Sequence, residues 1–203
     1  MKTKLTLFFI LILALFLRIY QLGQIPMSLN WDETSLGFNA YSISQTLHDE
    51  HGEFLPISRF IAFGDYKPPG YIYAAAAFIK LLDLNEFATR LPSALAGVLL
   101  TLVAFLIAKE LFNKKVGLIA AFVVAISPWS LQFSRGAFEA NLATTLTAFG
   151  VYFYLRIINQ RSKTVLNLLL SACFFAFSIY TFNSHRVFNP LIIGVLILIH
   201  RVS

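Results

Sequence analysis

Charge is scarce in this chain. Of its 203 residues only 13% are Asp, Glu, Lys or Arg, where a soluble globular domain carries ~25%. With 58% hydrophobic residues and a mean hydropathy of +0.72, that shortfall excludes an ordinary soluble domain. Cysteine is nearly missing. The single Cys173 cannot form an internal disulfide, and its place in an apolar run reads as a small buried side chain. Ten glycines and seven prolines are too few for a fibrous repeat or a disordered segment. Also lacking are a His/Cys cluster at metal-ligand spacing, a Ser-His-Asp signature, a Walker loop and a dinucleotide fingerprint. ATP-driven transport therefore has no support. The net charge of +6 is not gathered on one stripe. Basic residues sit in short linkers between apolar runs, which speaks against nucleic acid and for a membrane.

What the chain does have is apolar blocks long enough to cross a bilayer, which takes roughly 20 residues per helix. Six spans are expected, at residues 5–22, 91–108, 116–130, 142–157, 166–182 and 188–200. Met1-Lys2-Thr3-Lys4 before the first block resembles a signal peptide. No small-residue cleavage site follows, so the block reads as an uncleaved first helix with its amino terminus inside. Arg18 interrupts it and is expected to snorkel outward. Four basic clusters (Lys2 and Lys4; Lys109, Lys114 and Lys115; Arg156, Arg161 and Lys163; Arg201), offset only by Glu110, all face the cytoplasm if residues 70–84 do not cross. That run then reads as an interfacial helix begun by Pro68-Pro69, since proline suits a first helical turn. Phe63, Tyr66, Tyr71 and Tyr73 fit headgroup level.

Eight of the ten acidic residues lie between Asp32 and Glu86, in the expected outer loop, residues 23–90. A membrane protein keeps such a cluster where water, substrate or a metal reaches it. Trp31-Asp32-Glu33 comes first. Asp32 either caps the helix expected over residues 34–44 or serves as general base, with Glu33 shaping the site or a metal. Adjacent helical side chains point ~100° apart, so the two are not expected to share one job. Asp65-Tyr66-Lys67-Pro68-Pro69 closes the loop; Asp65 is a candidate contact to substrate or a metal, and Lys67 is either a phosphate contact or an interface anchor. Arg90, before Pro92 at the opening of the second span, carries the same two readings. Arg135 and Glu139 are four apart and, if helical, share a face as a salt bridge; otherwise Arg135 is a donor-phosphate contact and Glu139 contributes to the site as a metal ligand or as acceptor of substrate hydroxyls. His185 and Arg186 lie side by side, favouring an anion, with Arg186 shaped for phosphate oxygens and His185 a candidate contact to substrate or a metal. All of these groups fall on one face of the expected topology.

Trp31-Asp32-Glu33, Lys67-Pro68-Pro69 and Ala88-Thr89-Arg90-Leu91-Pro92-Ser93 together resemble the polyprenyl-phosphate-sugar-dependent glycosyltransferases of the protein mannosyltransferase and aminoarabinose transferase type. Ser134-Arg135-Gly136, Glu139, Asn141 and Tyr180-Thr181-Phe182 with Arg186 and Pro190 look like the bacterial branch. The resemblance implies an all-α integral membrane protein, a polytopic GT-C-like transmembrane helix bundle with juxtamembrane helices in the first outer loop. It implies multi-pass placement in the cell membrane with the active face extracytoplasmic. The donor would be a sugar on a polyprenyl phosphate, transferred with inversion to a lipid, glycan or protein acceptor. Asp32 matches the essential acid of the first loop, Lys67 a position near the donor phosphate, and Glu139 an acidic position of some relatives. A divalent metal ion occurs in several such enzymes, which leaves the cofactor open. Lys67 stands where the eukaryotic protein mannosyltransferases show His, so a protein acceptor does not follow from the family. Such enzymes run to well over twice this length, so residues 1–203 are expected to be the amino-terminal part of one membrane domain, lacking its carboxy-terminal half. A transporter or flippase component for lipid-linked sugars, or a non-catalytic truncated membrane protein, are the alternative readings.

Overall fold

The computed structural model describes residues 2–159 and 164–202. Arg161 and Lys163 lie outside the described residues, as does the side chain of Arg201. Nine helices and one short hairpin are described, in the order α1 Lys2–Ile19, α2 Trp31–Thr46, β1 Phe60–Ala62, β2 Asp65–Lys67, α3 Pro69–Leu82, α4 Glu86–Leu111, α5 Lys114–Ile126, α6 Pro128–Arg135, α7 Glu139–Ile158, α8 Thr164–Thr181 and α9 His185–Val202.

Helix α4 is the centre of the bundle and packs on α1, α3, α5, α6 and α7. Its buried side includes Ala88, Ser93, Ala94, Ala96, Gly97 and Thr101, small residues that let neighbouring backbones come close. It starts at Glu86 with Asn85 accepting from the Ala88 N–H at 2.8 Å, so Pro92 lies inside the helix rather than opening it. In α1 the buried residues Ile10, Ala14 and Arg18 recur every fourth position, the stripe of a helix with one packed face. Leu5, Phe8, Phe9, Ile12 and Phe16 point away from the protein.

Arg18 does not snorkel. It is fully buried and donates to the carbonyls of Val124 at 3.2 Å and Ala125 at 3.1 Å and to Ser130 Oγ at 2.8 Å. Those carbonyls end α5, where a cation is favoured by the helix dipole. The expected single span at 116–130 is broken there, with α5 and α6 meeting at 56°. Gly97 makes room: a Cβ at that position would lie 2.5 Å from Arg18 Nε.

Among the described residues one helix, α4, is by itself long and apolar enough to cross a membrane. The α5–α6 pair qualifies only as a bent unit, and α3, α8 and α9 are shorter apolar helices over their described side chains. Helix length alone thus does not establish six crossings. At 14 residues α3 is ~21 Å long, less than a ~30 Å hydrocarbon core. It packs on α2, α4 and α8. Cys173 is exposed on α8, contrary to the buried place expected from its apolar run; an apolar run in a helix bundle has an outward face too.

The two ends of the bundle differ. Lys109, Lys114 and Lys115 line one surface cavity, and Asn159 Nδ2 at the end of α7 donates to Glu110 O at the end of α4 at 3.5 Å. The opposite end, called the upper end here, carries α2, the hairpin and the α8–α9 turn.

Candidate active site at the upper end

Trp31-Asp32-Glu33 opens α2, and the capping is done by Asn30, not Asp32. Asn30 Oδ1 accepts from the Glu33 N–H at 2.8 Å while Glu33 Oε2 accepts from the Asn30 N–H at 3.0 Å. This reciprocal pair satisfies two otherwise free amides. It also turns Glu33 inward. Glu33 is 2% exposed, and its Oε1 accepts from Arg90 Nε at 2.9 Å and from the Ala137 N–H at 2.7 Å. Its carboxylate is consumed by structure, so the expected place for Glu33 at the chemistry is corrected.

Arg90 is corrected for the same reason. Beyond its bonds from Nε and Nη2 to Glu33, Nη1 donates to the carbonyls of Leu22 and Pro26 and Nη2 to that of Ser28. Five donor contacts use all five N–H groups of a guanidinium, and nothing is left for a phosphate. Arg135 likewise clamps the chain leaving α1, donating to Leu17 O at 2.7 Å, Tyr20 O at 2.8 Å and Ile25 O at 2.9 Å. It does not share a helix face with Glu139, because α6 ends at Arg135 and α7 begins at Glu139.

Asp32 points the other way. Its side chain is 57% exposed and accepts from Lys67 Nζ at 2.6 Å. Lys67 ends β2, opposite Phe60 in an antiparallel hairpin where the sequence predicts a loop. Phe63 and Gly64, with φ of 53° and 81°, make the tight turn, the left-handed pair that two-residue hairpins need. Trp31 packs its ring 4.3 Å from that of Phe63, tying the hairpin tip to α2. Pro68 is extended (φ −63°, ψ 145°) and Pro69 begins α3, so the lysine is delivered by a stiff strap. Gly70 lets the strap press on α8: a Cβ there would come 2.5 Å from Thr181 Oγ1.

Asp65 Oδ2 is 3.5 Å from Lys67 Nζ. Burial opposes the Lys67 ammonium, but the hydrogen bond to Asp32 and the fields of Glu139, Asp32 and Asp65 outweigh it and raise its pKa above the usual lysine value. Glu139 is buried, and its Oε1 has no hydrogen-bond partner. Burial lifts its carboxyl to about 7, with Lys67 pulling it down and Asp32 and Asp65 pushing it up.

Beside Lys67 lies a half-enclosed cleft of about 170 Å³ lined by Ser58, Arg59, Tyr66, Lys67, Pro68, Asn183 and Arg186. Asn183 Nδ2 donates to Tyr66 O at 3.1 Å, which fastens the α8–α9 turn to β2. The Arg59 guanidinium rests 4.4 Å over the Tyr66 ring. Arg59 carries no sequence signal; only the folding of the hairpin brings it beside Lys67. His185 takes no part in the cleft lining. It is buried between Phe182 and Phe188, and burial keeps its pKa below the ordinary imidazole value.

A metal does not fit these residues as they stand. Asp32 and Asp65 are turned to the Lys67 ammonium, and among the described residues no three side chains of His, Cys, Asp or Glu form a metal-binding group.

A family model described as dolichyl-phosphate-mannose-protein mannosyltransferase matches residues 66–202. The match includes Lys67, Glu139 and Arg186 and begins after Asp32. No curated protein matches. Among solved structures, the archaeal oligosaccharyltransferase AglB from Archaeoglobus fulgidus, in complex with an inhibitory peptide and a dolichol-phosphate, superposes with a TM-score of 0.74 at 16% identity. A second structure of an Archaeoglobus fulgidus oligosaccharyltransferase, in the apo form, gives 0.73 at 17%. Each alignment covers 95% of this chain and 25% of the other. At such identities the likeness is one of fold, and this chain spans a quarter of the length of those proteins.

Proposed function

The chain belongs to the dolichyl-phosphate-mannose-protein mannosyltransferase family, and on that footing we propose that it forms part of a glycosyltransferase using a polyprenyl-phosphate sugar. One observation carries the reading: a carboxylate and an ammonium, Asp32 and Lys67, meet at 2.6 Å beside a cleft lined by three cationic side chains, Arg59, Lys67 and Arg186. The dolichol-phosphate bound by the related archaeal fold belongs to the same ligand class.

The proposed reaction is a direct displacement. Asp32 takes the proton of an acceptor hydroxyl as its oxygen bonds to the anomeric carbon. The bond from that carbon to the phosphate oxygen breaks, and its electrons leave with the polyprenyl phosphate. Attack opposite the leaving group inverts the anomeric centre. Arg59, Lys67 and Arg186 balance the charge that grows on the departing oxygen, the kind of preset electrostatic aid that lowers such barriers most. The acceptor is a lipid, glycan or protein hydroxyl.

Lys67→Ala is expected to weaken binding of a polyprenyl phosphate roughly 10–100-fold, the loss of one charge-assisted contact of about 1.5–3 kcal/mol. Calorimetric titration of the detergent-purified protein measures it; an unchanged affinity would remove Lys67 from the phosphate site.

The proposed setting is a multi-pass membrane protein with its upper end outside the cytoplasm and Lys109, Lys114 and Lys115 inside, as positively charged linkers require. In a Cys173→Ser background, His51→Cys should react with a membrane-impermeant maleimide on intact cells. Lys114→Cys should react only after the membrane is opened. Labelling of Lys114→Cys from outside would overturn the topology.

A further inference from the structure

The charges around the cleft come close to balance. Arg59, Lys67 and Arg186 line it. Against them stand Asp32 and Asp65, both in ion pairs with Lys67, and Glu139, which shares the field of all three. Three cations thus face three carboxyl groups. The other ionisable groups on the surrounding elements stand apart from this set. On α4, Arg90 is matched by Glu33. On α6, Arg135 keeps its positive charge but spends its donors on backbone carbonyls of the chain leaving α1, and the charges that act on Glu139 are those of Lys67, Asp32 and Asp65. Tyr71 on α3 feels Glu139 but is buried and held neutral, its pKa well above the usual tyrosine value. His185 on α9 has its pKa lowered by burial and is neutral near pH 7.

A phosphodiester entering the cleft brings one more negative charge, which disfavours the ionised form of any carboxyl group close by. Asp32 and Asp65 are exposed and paired with Lys67. Glu139 is 8% exposed, stands at the first residue of α7, and keeps Oε1 without a partner. An orphaned oxygen on a buried carboxyl is costly when charged and much less so when it carries hydrogen.

From this arrangement we propose that the cleft binds its phosphate ligand together with one proton, and that Glu139 carries it. The inference rests on the donor reading above and deepens it: the donor site takes a singly charged phosphodiester best when Glu139 is a neutral acid. The Glu139 carboxyl, already lifted to about 7, is half-protonated near neutral pH and is pushed higher by the incoming anion. The sign follows directly. Below pH 7 the proton is in place and affinity is constant; above it each binding event must capture a proton from solution, and affinity falls about tenfold per pH unit.

The test uses a geranylgeranyl methyl phosphodiester, whose single charge does not change between pH 6 and pH 8. Wild-type affinity should drop about tenfold over that range. Calorimetry at pH 8 in two buffers of different ionisation heat should show uptake of close to one proton per ligand. Glu139→Gln, neutral at every pH, should bind with no pH slope and about tenfold more tightly than wild type at pH 8. His185→Asn should keep the wild-type slope. A flat wild-type profile with no proton uptake overturns the role of Glu139 and leaves the donor site standing, as does a slope that survives in Glu139→Gln. Failure of the wild type to bind the phosphodiester at any pH overturns the donor reading and this inference with it. The two-buffer measurement needs only the wild type, so poor folding of a variant does not rescue the idea.

Discussion

Glu33→Ala is expected to cost about 3–5 kcal/mol, the penalty for leaving a buried charge without its partner. The residue supports three structures at once: the cap of α2 through Asn30, the guanidinium of Arg90, and the Ala137 N–H between α6 and α7. Replacing a buried ion pair by hydrophobic residues is often neutral, but that outcome is not expected here. Arg90 also satisfies three carbonyls of the chain between α1 and α2, so a Glu33→Leu/Arg90→Met double variant leaves those carbonyls and the Ala137 amide without partners. For a chain of this size each kcal/mol moves the melting temperature roughly 2–4 °C, so a fall of about 10 °C should appear in circular dichroism melts in detergent. A Glu33→Ala protein melting within two degrees of wild type, a margin of about half a kcal/mol, would mean the pair does not hold the upper end together.

The adjacent residue should behave in the opposite way. Asp32→Asn is expected to lower sugar transfer by about 10²–10⁴, the usual worth of a positioned general base, while leaving the melting temperature nearly unchanged. Asp32 is 57% exposed, and exposed ion pairs contribute little stability. The asparagine keeps the size and one acceptor oxygen but cannot take a proton. The measurement is transfer of radiolabelled sugar from a polyprenyl-phosphate donor in membranes containing the protein, alongside donor affinity. Donor binding should survive, because Lys67, Arg59 and Arg186 remain. Full transfer by Asp32→Asn would remove the base assignment. Donor movement across the membrane without any transfer, in wild type, would favour a carrier of lipid-linked sugars instead.

Several features are legible in the sequence. The Pro68-Pro69 pair does begin a helix, and the turning of Asp32 and Glu33 to different sides follows from helical geometry alone. Which of the two turns inward did not follow, since it depends on Arg90, 57 residues away in sequence. Three arginines differ from expectation for one reason. Arg18, Arg90 and Arg135 read in sequence as interfacial or phosphate-facing cations, but each folds inward onto carbonyls that helix ends and irregular loops leave without partners. Those carbonyls belong to distant segments and have no signature in the local pattern. The hairpin is not legible in the sequence because three-residue strands carry too little alternation to register.

By itself the amino-acid order determined the chemistry available and the lengths over which it could be spread: apolar blocks, an acid-rich stretch, prolines that stiffen one strap, and cations set between runs. Those are local properties, decided by side-chain hydration and backbone restriction. Tertiary structure alone decided which charges are spent. Burial removes water from a guanidinium or carboxylate, so each buried charge must be matched by whatever the rest of the fold brings within reach. Glu33, Arg90 and Arg135 are matched inside the protein, while Asp32, Lys67, Arg59 and Arg186 stay where a ligand can meet them.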